Sequence, residues 1–81
     1  AAAGIPVPDQ VAGADIGRRI AACVEKLPRA QREVFLMRTV SDLSFNEIAE
    51  ILAIPLNTAL GRMHYAVVRL REALADEWRE R

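Results

Sequence analysis

The chain lacks most of what small-protein chemistry usually needs. It has a single cysteine, Cys23, so no disulfide can close within it. One Cys and one His cannot supply the four ligands of a zinc site, so no metal is expected. Its apolar runs are far too short to cross a bilayer, and no secretory leader is visible. It has no alternating apolar–polar run and no Asn-Gly or Asp-Gly pair to turn a hairpin. It also has no G-x-S-x-G, no phosphate-cradling glycine loop and no H-E-x-x-H. Ser41, Ser44 and His64 form no nucleophile motif, so no catalytic residue, enzyme activity or cofactor is expected. A reducing, cytoplasmic setting and no membrane partner fit these absences.

Net charge is missing as well: eleven basic residues balance eleven acidic ones. A free-standing nucleic-acid binder is usually more basic, because phosphate contacts dominate its affinity. The distribution carries more than the sum. From Pro55 to Arg71 there are three arginines and no acid, and Glu72 is the first carboxylate after that stretch.

What is present is apolar content. Over 81 residues, 52% are hydrophobic, enough for one compact domain. The opening "AAAGIPVPDQ" contains two prolines and reads as a linker, so residues 1–14 are expected as a linker or disordered segment and 15–81 as the domain. The periodicity predicts an all-α, four-helix domain. The first helix runs from Asp15, as N-cap, to Leu27, with Ile16, Ile20, Cys23, Val24 and Leu27 on its apolar face. Pro28 ends it and opens a second helix, about Arg29 to Val40, that offers Val34, Phe35, Met37 and Val40 to the core. "LSFNEI" then carries a capping box between Ser44 and Glu47, with Leu43 and Ile48 placed as a hydrophobic staple. The third helix is short, Phe45 to about Leu52, burying Phe45, Ile48, Ala49 and Leu52. After the break at "AIP", Leu56, Ala59, Met63, Ala66, Leu70, Leu74 and Trp78 make one long stripe on a fourth helix.

A short helix, a tight break and a longer helix are the components of a helix-turn-helix. Such a unit needs a small residue where the helices cross, here Ala49. It needs a short turn, a buried Ile54 and an inward Ala59. Ala53, at the turn, stands where Gly is more frequent. In this geometry the second helix offers its leading half to a major groove. Leu56, Asn57, Leu60, Gly61 and His64 then face bases. The Thr58 hydroxyl and the helix's first N–H groups face phosphate, and Arg62 and Arg69 neutralise phosphates. Asn57 can pair with adenine and Leu60 can touch a thymine methyl. Tyr65 can stack on a sugar or on a protein neighbour. Cys23 and Trp78 continue apolar faces and are expected in the core.

The run "LPRAQREVFLMRTVSDLSFNEIAEILAIPLNTALGRMHYAVVRLREAL" resembles region 4 of bacterial sigma factors, closest to the extracytoplasmic-function group of the sigma-70 family. The resemblance spans about Asp15 to Leu74. It rests on the "LP…REVF" opening, the "LSFNEIAEIL" helix, the "IP.NT" start and the "R.H.A..RLREAL" close taken together. It implies a wingless helix-turn-helix that recognises the promoter −35 element. It also implies an apolar surface docked on the β flap of RNA polymerase, and anti-sigma factors as further partners. Four positions depart from the family's habit. Leu60 stands for a common basic residue, Gly61 for Ser, and Tyr65 and Val67 for frequent arginines. Two other readings stay open. One is a sigma-like module that binds an anti-sigma factor or other regulator without reading DNA. The other is the output domain of a different transcriptional regulator.

Overall fold

The computed structural model describes the backbone of residues 7–79 and the side chains of residues 16–76. Four helices follow one another: α1 (Val7–Glu25), α2 (Arg29–Thr39), α3 (Phe45–Leu52) and α4 (Leu56–Arg79). No strand occurs among the described residues.

Helix α1 starts at Val7, well before Asp15, so residues 7–14 are helical and Asp15 is not an N-cap. Pro8 explains the early start: in the first turn its missing N–H costs nothing and its fixed φ suits a helix. The helix closes with tightened bonds, Lys26 N–H to the Cys23 carbonyl at 3.1 Å and Leu27 N–H to the Val24 carbonyl at 3.0 Å. Pro28 is the N-cap of α2 rather than its first helical residue, with extended ψ of 146°. Across this corner the Arg32 guanidinium donates to the Glu25 carbonyl at 3.1 Å, joining α2 to the end of α1.

Helix α3 is set at both ends. The Glu47 N–H donates to Ser44 Oγ at 3.0 Å, and the Ser44 N–H donates to Glu47 Oε1 at 2.8 Å. The capping box is complete, and Leu43 and Ile48 share one core cluster, as a staple requires. At the other end Ala53 adopts the left-handed conformation, φ 56° and ψ 47°. Ile54 N–H then reaches the Ala49 carbonyl at 3.0 Å and Ala53 N–H the Glu50 carbonyl at 3.2 Å. This pair of bonds is a Schellman ending. It turns the chain within three residues and aims it straight into α4.

The core has two parts, and α4 runs through both. Val34 of α2, Ile48 and Ala49 of α3 and Ala59 of α4 form one cluster, with Ile54, Met37, Leu43, Phe45, Leu52 and Met63 packed against it. Cys23, Val24 and Leu27 meet Ala66 and Leu70 of α4 in the other, with Phe35, Ala73 and Leu74 alongside. Cys23 is thus a core residue; Trp78 lies outside the described side chains. Three apolar residues expected in the core from α1 and α2 are exposed: Ile16 at 43%, Ile20 at 37% and Val40 at 75%. The Cα extents of 41 × 33 × 14 Å describe a thin slab, so the outer faces of α1 and α2 have no further layer to cover them.

Candidate nucleic-acid interface

Every residue expected at the interface lies on α4, between Leu56 and Arg69. At 3.6 residues per turn they fall into rows. Leu56, Leu60 and His64 are four apart and form one row. Asn57, Gly61 and Tyr65 form the next, and Thr58, Arg62 and Arg69 a third. Ala59 and Ala66, both 0% exposed, fix the side of the helix between the first and third rows against the core. Gly61 therefore points about 150° away from that buried line.

Exposure follows the rows. Asn57, His64 and Arg69 are exposed; Thr58, Gly61 and Arg62 are half-buried. Leu56 and Leu60 are 40% and 42% exposed and Tyr65 60%, a large apolar share for a free helix surface. The leading turns are thus anchored on one side only. The His64 and Tyr65 rings meet edge to face, centroids 5.4 Å apart.

Two features hold this rod in place. Ala49, 8% exposed, lets α3 approach α4 closely, and half-buried Ile54 packs into the same cluster. One helix earlier, Arg38 ties down the approach to α3. Its guanidinium donates to the Leu43 carbonyl at 3.0 Å and lies 5.1 Å from the centre of the Phe45 ring. Nothing in the sequence pattern singles out Arg38. Its partners lie across a corner that no helical period reveals.

The electrostatics match an anionic partner. Among the described residues Arg62 and Arg69 make no ion pair, so their charge is not spent inside the domain. At the start of α4 the Thr58 and Ala59 N–H groups both reach the Pro55 carbonyl, at 3.0 and 3.1 Å. The N–H groups of Leu56 and Asn57 precede the first of these bonds and point along the helix axis, where the dipole favours an anion.

A second surface is formed by α1 and α2. Ile20 and Val24 of α1 face Phe35 and Leu36 of α2, and Val40 at its C-cap, over an open groove of ≈ 530 Å³ that Arg32 also lines. Two of the residues expected in the core but found exposed, Ile20 and Val40, line it. Leu36, 39% exposed, was not singled out from the sequence. Its signal was there: it sits one turn before Val40 and makes a second apolar row, on the side of α2 away from buried Val34.

Known proteins agree with this architecture. The family model described as sigma-70, region 4, matches residues 17–74. The chain is also 35% identical over 73 residues to the ECF RNA polymerase sigma factor SigW of Bacillus subtilis (strain 168). That alignment covers 90% of this chain and 39% of the relative, so the chain spans about two-fifths of that protein's length. With α3 capped by Ser44, turned at Ala53 and braced at Ala49 against α4, the chain belongs to region 4 of the sigma-70 family, of the extracytoplasmic-function type.

Proposed function

We propose that this domain recognises the −35 element of bacterial promoters and, through a separate face, docks on RNA polymerase to help start transcription. The observation that carries the reading is the state of α4's leading turns. They are buried on one side against α3, exposed on the other, and free of acid from Pro55 to Arg71. In this reading α4 enters the major groove with Leu56, Asn57, Leu60, Gly61 and His64 toward base edges. Thr58, Arg62 and Arg69 lie along a neighbouring row and meet phosphates, and Tyr65 packs on the sugar. The role is binding, not catalysis, and its place is the bacterial cytoplasm. We take residues 15–81 as the functional unit.

The groove between α1 and α2 suits the second contact. It is apolar and open, and no residue of α4 lines it, so in this reading polymerase and duplex use different residues. We assign it to the β flap, with anti-sigma factors as competitors. Low intrinsic affinity for DNA is then tolerable, because tethering to polymerase raises the effective concentration at the promoter.

The exposed Leu56, Leu60 and Tyr65 favour one competing reading, a protein-binding module without DNA recognition. Titrating labelled −35-type duplex at two salt concentrations separates the two. Weak binding that falls steeply with salt supports DNA recognition. No binding at low salt, with retained capture of a protein partner, supports the module.

A further inference from the structure

Gly61 is a costly residue where it stands. Inside a helix, alanine would favour folding over glycine by roughly fivefold. Glycine in such a place usually makes room for a neighbour. Here it does not: a Cβ built on Gly61 meets nothing within 4 Å. The room it leaves lies outside the domain, on the side of α4 opposite Ala59 and Ala66.

Leu60 is the adjacent residue and is 42% exposed. It is a short side chain on a face that would otherwise reach a partner with long ones. A leucine can touch a base edge only if the helix backbone comes nearer to the groove floor than an arginine would require. A missing Cβ at Gly61 permits that nearer approach. The flanking groups on its row are Asn57 and Tyr65, and His64 lies beside them, so no acid repels a duplex there.

Resting on the proposed recognition of DNA, we infer that Gly61 is the point where α4 comes closest to the duplex. This approach lets Leu60 read the 5-methyl group of a thymine in the major groove. The glycine and the leucine act as a pair. Either alone would be a loss: Gly61 in stability, Leu60 in reach. The recognition is apolar and sits within an otherwise polar contact, so its information lies in a methyl group rather than a hydrogen bond.

The test uses the 81-residue chain and a randomised duplex pool amplified with either dTTP or dUTP. Duplexes enriched from the thymine pool are remade with uracil at each thymine in turn. At one position, uracil should weaken binding by about three- to tenfold, the worth of one buried methyl. Leu60→Ala should lose that discrimination. Gly61→Ala should lose it too, with about tenfold weaker binding. Its thermal midpoint should rise by about 4–8 °C, which rules out misfolding as the cause. Uniform tolerance of uracil by the native chain would overturn the inference. So would a Gly61→Ala variant that keeps both affinity and thymine preference, since the glycine would then be merely unoptimised. If no duplex is enriched at all, it is the broader reading of DNA recognition that fails, before any thymine is compared with uracil.

Discussion

Ala49 of α3 and Ala59 of α4 share one buried cluster, at 8% and 0% exposure, and their small side chains set how closely the short helix braces the long one. Enlarging either should force the helices apart. Ala59→Leu is expected to cost about 1–3 kcal/mol in denaturant unfolding. Duplex binding by the folded fraction should weaken as well, because the rod's angle to the rest of the domain changes.

Ala53 holds a left-handed conformation, φ 56°, that glycine adopts freely. For an L-residue with a Cβ this costs about 1–2 kcal/mol. Ala53→Gly should therefore stabilise the domain by about 1 kcal/mol net, since glycine gives back part of the gain through the entropy of the unfolded chain. The midpoint of urea unfolding should rise without a change in its slope.

Much of this was readable because it is local. The capping box needs only Ser44 and Glu47 three residues apart, and the break at Ala53–Pro55 announces the second helix of the motif. The stripe through Ala59, Ala66 and Leu70 is a period, and periods survive folding. What could not be read is whether a neighbour covers a face. Ile16, Ile20 and Val40 continue apolar stripes, yet a thin slab leaves them on a groove or on the surface. The start of α1 at Val7 is not legible in the sequence, because Pro8 fits a linker and the first turn of a helix equally well. At the candidate interface, the place of each residue on α4 is legible in the sequence. The empty space around Gly61 required coordinates.

The capping box makes α3 sensitive to acid. Hydrogen bonds from the Ser44 backbone, and then its side chain, hold the Glu47 carboxyl below its ordinary value of 4.5. Its folded-state pKa is depressed, so its contribution is complete above the unfolded value. That contribution is lost as pH falls from about 4.5 through the lower folded value. Glu47→Gln retains the box at neutral pH but should flatten this part of the stability–pH curve. Ser44→Ala, which removes the box's side-chain acceptor, should cost about 1 kcal/mol at neutral pH.

Val40 is 75% exposed on the α1–α2 groove. Val40→Asp should change stability by no more than about 0.5 kcal/mol, as surface substitutions do. It should nonetheless impair capture of RNA polymerase core in a pull-down while leaving duplex binding intact. Equal capture by both chains would place the docking surface elsewhere.

Arg62 is half-buried, lacks an ion pair among the described residues and lies on the same row as Thr58. Arg62→Ala should weaken binding to all duplexes alike and reduce the salt slope by about one. A change confined to one sequence would make it a base contact instead.

The most direct measurement of the central claim is a titration of the isotopically labelled chain with −35-type duplex, followed by amide and methyl resonances. Shifts concentrated from Leu56 to Tyr65, with Ile20, Leu36 and Val40 unmoved, are the expected result. Shifts confined to the α1–α2 groove, or none along α4, would contradict it.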